Sequence, residues 1–319
     1  MAENKRFFYG WLILLTCILI MGLGYAPLVS CASLFTKPVT EDLGFTRSGY
    51  ALVSTIAALM MAFMSPFIGK IMSKPYMHKA LVVCMIGNCL AYYCYSFAST
   101  LPQFYVTAAC IGFFECGSTM IPVSVLITNW FRKKRGLVMS IAMVGSSIGG
   151  TILSPIIGNL IASQGWRFTY KAVGITRLVI LVPLVLLVIR RTPADMGTKA
   201  YGADEEGETG KARKTEREWN VSLKEVKKKP MFWCFVLGCT LISATAAVIT
   251  QIPASVMDAG YATTTAASIA SLYLFIAIPG KLVLGHIYDR YGVKAGILFG
   301  NTMFFLSVIC LIFIKHQPF

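Results

Sequence analysis

Three charged side chains, Glu115, Arg177 and Lys281, stand inside long apolar stretches of this 319-residue chain. A fourth group, Asp289 with Arg290, sits in a polar turn at residues 285–294 that reads G-H-I-Y-D-R-Y-G-V-K. A charge in apolar surroundings must pair, meet water or hold a ligand of opposite sign. The chemistry these residues suggest is therefore electrostatic capture, not bond cleavage. No H-E-x-x-H and no C-x-x-C occurs, and His78, His286 and His316 all lie near the ends of apolar runs. The ten cysteines read as buried thiols acting as small hydrophobes. Neither an enzyme nor a metal or cofactor site is expected.

The elements that position these charges follow from composition. The chain is 56% hydrophobic and only 13% charged, with a mean hydropathy of +0.68. A soluble domain carries roughly a quarter charged residues, so the apolar excess is expected to face lipid. Crossing the hydrocarbon takes about 20 apolar residues. Spans of that kind read as residues 9–34, 50–72, 80–98, 103–131, 136–162, 168–189, 231–257, 266–288 and 295–314. The first is too long for the core of a signal peptide and has no A-x-A-like site after it, so it counts as a span. Pro27, Pro66, Pro122, Pro155, Pro183 and Pro279 fall within spans and predict kinks, which membrane bundles tolerate.

The formal charge of +15 comes mostly from short connections on one side. With the N-terminus inside, the inner side takes Lys5, Arg6, Lys70, Lys74, Lys79, Arg132, Lys133, Lys134, Arg135, the basic 190–229 stretch, Arg290 and Lys294. The outer side takes only Lys37, Arg47, Arg167, Lys171 and Lys315. This asymmetry is the orientation signal of a cell-membrane protein with a cytoplasmic N-terminus, not a nucleic-acid patch. Residues 190–230 form the one long hydrophilic stretch, a mixed-charge cytoplasmic linker. Its last part, V-S-L-K-E-V-K-K-K-P, suits an amphipathic surface helix. The linker separates six spans in residues 1–189 from three in residues 231–319.

An internal repeat agrees with that division. Asp42, Gly44 and Phe45 recur as Asp258, Gly260 and Tyr261, and Gly69, Ile71 and Lys74 recur as Gly285, Ile287 and Arg290. All six pairs share one separation along the chain. Two repeated halves around a linker describe a transporter, whose solute site lies between the halves near the midplane.

The 285–294 turn resembles the helix 8–9 signature of the major facilitator superfamily. Residues 129–136, N-W-F-x-x-x-R-G, resemble its helix 4–5 counterpart. Within the superfamily, Tyr9-Gly10-Trp11, the turn from Lys37-Pro38 to Arg47, and the lead from Ser222 to Trp233 resemble the oxalate–formate antiporter and monocarboxylate porter branch. The resemblance implies an all-α, polytopic membrane helix bundle of major facilitator type, with a six-helix N-terminal half and three helices of the C-terminal half. Such proteins usually have twelve helices. It further implies a monomeric secondary transporter of small organic anions, working by proton symport or anion exchange. A carrier of another solute, such as a drug or sugar, stays open, as does a truncated membrane protein that does not transport. The first copy of the turn departs from the signature, with Ser73 in place of aspartate and Pro75-Tyr76 in place of Tyr291-Gly292.

Roles follow for individual residues. Asp289 at a helix end would dock on the positive N-terminus of helix 5, beside Arg135 and Gly136, and gate without touching solute. Gly285, Arg290 and Gly292 belong to the same gate, and Gly292 would supply the positive φ that the reversal needs. Lys281 lies eight residues before Asp289, about 12 Å up a helix. A carboxylate solute would pair with it there; snorkelling to the inner headgroups is the other reading. In the branch, the matching position of helix 8 is basic and commonly arginine, so lysine loses the bidentate fork. Arg177 is a further candidate for the solute. Glu115 is a candidate proton carrier or the counter-ion of Arg177 or Lys281. Tyr25 and Tyr273 could line the cavity, or sit at the lipid interface instead. Gly145, Gly149, Gly150 and Gly158 give helix 5 a small-residue face for packing.

Overall fold

Glycine and proline divide the apolar sequence into rods. The computed structural model describes residues 8–202 and 223–314, and among them nine helical rods follow one another. We label them α1 (Gly10–Leu43), α2 (Arg47–Met72), α3 (Met77–Phe97) and α4 (Leu101–Trp130). The continuous helix Arg135–Val188 breaks at Gly165, where φ is 82°, into α5 (residues 135–164) and α6 (residues 166–188). Helix α7 (Pro230–Thr250) continues as a short piece, Ile252–Asp258. The last helix, Thr263–Ile314, breaks at Gly292, also at φ 82°, into α8 (residues 263–291) and α9 (residues 293–314). At both breaks the backbone enters a region open to glycine but strained for other residues.

Local chemistry explains the irregular points. Helix α4 is interrupted at Thr119, with φ −122° and ψ −99°, just before Pro122. A proline has no N–H for the residue four back, so Ser118 loses its α-helical donor. At the same break the Thr119 hydroxyl and Thr119 N both donate to Glu115 O, at 2.9 Å and 3.1 Å. In α1 a π-helical turn, Ile20–Tyr25, precedes Pro27. The equivalent turns of the repeat share backbone geometry, since Gly44 and Gly260 both have positive φ (65° and 94°). Most of the linker, residues 203–222, lies outside the described residues. Of the expected amphipathic segment, the described part forms one turn, Leu223–Val226, before Pro230 opens α7.

The core sits inside α1–α6 as two apolar clusters stacked along the bundle. One gathers Met72, Met77, Trp130, Phe131 and Ile189 toward the Asp289 end. The other gathers Tyr95, Phe104, Trp166 and Tyr170 toward the opposite end, and it takes in Met257, Ala266 and Ala267 from beyond the linker. Tyr170 stacks on Phe35 with ring centroids 4.1 Å apart. Outside this core, Leu59, Phe63 and Phe67 of α2 and Leu272, Phe275 and Ile276 of α8 are exposed. A bilayer solvates apolar surface of this kind.

Helix α5 is pressed between α1 and α8. A Cβ on Gly145 would meet Ile18 O at 2.3 Å, and one on Gly149 would meet Gly22 O at 2.2 Å. On the side facing α8, a Cβ on Gly150 would meet Leu274 at 2.5 Å and one on Gly158 would meet Ala267 at 2.5 Å. The four-residue glycine spacing lets the α1 and α5 backbones touch, with no side chain between them. Gly149→Val should therefore overpack the seam and cost about 1–3 kcal/mol, lowering the unfolding temperature in detergent. Gly69→Ala, whose Cβ would meet nothing within 4 Å, should leave that temperature unchanged or slightly raised. Equal unfolding temperatures for Gly149→Val and the parent would contradict this packing.

Candidate functional site

Polar contacts between α5 and α8 recur at three levels, from Gly136 to Thr151. At one end Asp289 accepts from Gly136 N at 3.0 Å and Leu137 N at 2.8 Å. Those amides belong to the first turn of α5, where N–H groups lack partners within the helix. The carboxylate fills both and meets the positive end of the helix dipole. Glycine is required at 136, because a Cβ there would lie 2.6 Å from Asp289 Oδ1. One turn up, a Cβ on Gly285 would meet Ser140 Oγ at 2.2 Å. The other members of the expected gate are placed differently. Arg135 turns back to Phe131 O (2.9 Å), and Arg290 lies over the Tyr291 ring at 5.4 Å.

Lys281 occupies the middle of the seam. Its Nζ donates to Met143 O at 3.0 Å and to Ser146 Oγ at 2.8 Å, both on α5. The side chain thus reaches across to the other half, not down toward headgroups. It lines a cavity of about 320 Å³ together with Tyr25, Met120, Ser140, Ser146 and Leu284. Farther along, Ser271 Oγ donates to Thr151 O at 2.7 Å. Tyr273 of α8 is partly buried and is not among the residues lining the cavity.

Arg177 is 2% exposed and lies behind this cavity, inside the first six helices. It donates to Gly24 O at 2.9 Å within the π turn, makes a short hydrogen bond to Asn88 Oδ1, and lies over the Tyr92 ring at 4.9 Å. Glu115 is 6% exposed, and its Oε1 has no hydrogen-bond partner, as is true of Arg177 Nε and Nη1. Among the described residues no ion pair within 4.0 Å joins Glu115 to Arg177 or to Lys281. The three charges of the spans therefore occupy two places: Lys281 in the cavity, Arg177 with Glu115 behind its wall. Gly24 links them, because its carbonyl holds Arg177 while the next residue, Tyr25, lines the cavity.

The loop motif at residues 129–136 has a structural task that sequence reasoning missed. Asn129 Nδ2 donates to Arg191 O at 3.1 Å and Trp130 Nε1 to Arg190 O at 3.0 Å, which caps the end of α6. Tyr201 N donates to Trp130 O at 3.0 Å, and the Tyr201 ring packs with Phe8, Trp11 and Phe131. The start of the linker is thereby strapped beneath the bundle. Residues 145–149, G-S-S-I-G, also match a nucleophile-elbow pattern, but Ser147 is fully buried within α5, with no strand before it.

The family model of the Major Facilitator Superfamily matches residues 12–318. The chain belongs to the major facilitator superfamily. It is accordingly a multi-pass membrane protein, and the superfamily is one of transporters, not enzymes. Monocarboxylate transporter 2 of Homo sapiens is 24% identical over 229 residues, covering 70% of this chain and 45% of that protein. MFS-type transporter pytF of Aspergillus terreus is 26% identical over 209 residues, covering 65% and 62%. Monocarboxylate transporter 4 of Gallus gallus is 26% identical over 170 residues, covering 52% and 35%. The chain spans about half the length of the curated relatives it matches. Among solved structures, an inward-facing, unoccupied bacterial homologue of the human lysosomal transporter Spinster superposes with a TM-score of 0.68 at 18% identity, covering 91% of this chain and 64% of that one. The fold is that of the superfamily, and the monocarboxylate transporters among the relatives bear out the monocarboxylate part of the branch resemblance.

The Asp289 contact is open to direct measurement. Asp289→Ala removes the acceptor of two amides, and a charged hydrogen bond contributes about 1.5–3 kcal/mol. Amide hydrogen exchange at Gly136 and Leu137 should then accelerate at least about tenfold. Arg290→Ala should leave those amides unchanged. Unaltered exchange in Asp289→Ala would show that the contact is not populated.

Proposed function

We propose that this protein carries small organic anions across the cell membrane by alternating access, with Lys281 as the group that pairs with the solute carboxylate. One observation supports the reading above others. Lys281 Nζ spends two of its three donors on uncharged acceptors, Met143 O and Ser146 Oγ, beside a cavity. Among the described residues no carboxylate stands within ion-pair distance of it. An ammonium in that setting attracts an anion small enough for about 320 Å³. Tyr25 adds an aromatic wall with a polar tip. The relatives named monocarboxylate transporters agree with this solute class.

In this reading the Asp289 contact is the gate on the cytoplasmic face, the side on which lysine and arginine concentrate. Gly285 and Gly136 let the helices close there, and Gly292 forms the turn beneath. The protein acts as a monomer. Protons are the coupling ion, and Glu115 carries them, since it is the sole carboxyl within the apolar spans. Arg177 then acts on Glu115 from behind the cavity and does not touch the solute.

Lys281→Ala should lower uptake of labelled lactate, pyruvate, formate or oxalate into proteoliposomes by about tenfold to hundredfold, the worth of one charged hydrogen bond. Lys281→Arg should restore much of it. Uptake at the parent's level in Lys281→Ala would end the anion-site assignment. Glu115→Gln, which mimics the neutral acid, should keep downhill exchange of the same anion. It should lose uphill uptake driven by an inward proton gradient. Uphill uptake that survives in Glu115→Gln would remove Glu115 from the proton path.

A further inference from the structure

On the face opposite Asp289, charged side chains also join the two halves. Arg47, the first residue of α2, forms an ion pair with Asp258, the last residue of the short helix Ile252–Asp258; their side chains are 52% and 38% exposed. Beside them Lys37 Nζ donates to Met257 O at 2.8 Å and lies 3.8 Å from Glu41 Oε1. The Arg47–Asp258 and Lys37–Met257 contacts join residues before the linker to residues after it. A cavity of about 330 Å³ surrounds the pair, with Thr36, Ser48, Gln251 and Ser255 among its lining.

The repeat sharpens the point. Asp258 stands where the first copy has Asp42, and Asp42 bonds within its own half, accepting from Trp166 Nε1 at 3.0 Å. Asp258 instead crosses to Arg47. Equivalent carboxylates therefore do different work, one holding a half together and one holding two halves to each other.

Arg47 offers five N–H donors in a planar fork, and a single carboxylate engages at most two of them. The remaining donors suit a second oxyanion in a cavity that already supplies hydroxyls and an amide. Swapping one carboxylate for another on the guanidinium keeps the cation paired, and the released Asp258 is exposed enough to hydrate. A half-exposed pair of this kind is weak and reversible. We propose that this cavity is an entry site for a small carboxylate, which takes the place of Asp258 on Arg47 and so releases the two halves on that face. The identity of the entering anion rests on the transport reading above; the Arg47–Asp258 latch does not.

The test uses the full chain in sealed vesicles with the Arg47 face outward. Cys94, Cys110 and Cys234 are replaced by serine, and Met120→Cys in the Lys281 cavity is the reporter for a membrane-impermeant maleimide. Arg47→Gln and Asp258→Asn should each raise the labelling rate about two- to fivefold without solute. The charge swap, Arg47→Asp with Asp258→Arg, should return it to the parent's rate and shows that the variants fold. Lactate, formate or oxalate should raise the parent's rate to a similar degree and add nothing in Arg47→Gln. Unchanged labelling in both single variants overturns the latch and the entry site together. A parent that takes up one of these acids, yet labels at the same rate with and without it, overturns the entry site alone. Absence of uptake of all three acids, with the single variants still faster, overturns the anion reading and with it the entering ligand, and leaves the latch standing.

Discussion

The structure depends on how closely α5 approaches two neighbours at once. Between helices in lipid, apolar side chains gain little by leaving a solvent as apolar as themselves, so packing and polar contacts must hold the bundle. Gly145 and Gly149 bring the α5 backbone onto α1, while Gly136, Gly150 and Gly158 do the same toward α8. This double approach sets everything polar in the seam. Asp289 reaches two amides because nothing protrudes at position 136, and Lys281 reaches Met143 and Ser146 because α8 lies so near. A thicker helix in this place would push the lysine away from its acceptors and the aspartate off the helix end.

Buried charge imposes the second constraint. Arg177 is almost wholly enclosed, and its partners are a backbone carbonyl, an amide side chain and an aromatic face. The carbonyl belongs to Gly24 in a π turn, a local irregularity of the kind found at functional sites. Tyr25, next in sequence, faces the Lys281 cavity. A change in how Glu115 acts on Arg177 therefore has a short covalent route to the cavity wall. The arrangement separates the Lys281 charge in the cavity from the Arg177 charge behind its wall while keeping them mechanically joined.

Much of the fold was legible because lipid leaves few options. Span length, the turn glycines and the lysine–arginine asymmetry depend on composition and spacing, which the sequence states directly. The docking of Asp289 was legible for the same reason, since a carboxylate at one helix end needs a positive end nearby. The wall of the site was not. Met120 of α4 and Ser140, Met143 and Ser146 of α5 are uncharged and commonplace in such helices, and only the packing of α4, α5 and α8 sets them around Lys281. The partners of Arg177 were hidden for a related reason: periodicity puts a charge in a span without saying which side of a helix pair it faces. Arg47 and Asp258 were each visible as turn residues, yet their pairing depends on two halves meeting across a gap that no local pattern encodes.

The repeat explains why the two faces behave differently. An ancestral pair of equal halves would place the same residue on both sides of the pseudo-axis and would close both ends alike. In this chain the copies have diverged at each polar position that matters. Ser73 stands opposite Asp289, Ser65 opposite Lys281, and Asp42 keeps to its own half while Asp258 crosses over. One half supplies the carboxylate of the Asp289 contact and the cation of the cavity, and the other supplies the amides and acceptors that meet them. At the far end the carboxylate again comes from the second half, Asp258, and its partner Arg47 from the first. Both ends of the seam therefore close on a carboxylate from the second half, whereas between them the second half supplies the donor, Lys281. On the mechanism proposed above, the same two bodies exchange one contact for the other while Lys281 stays between them.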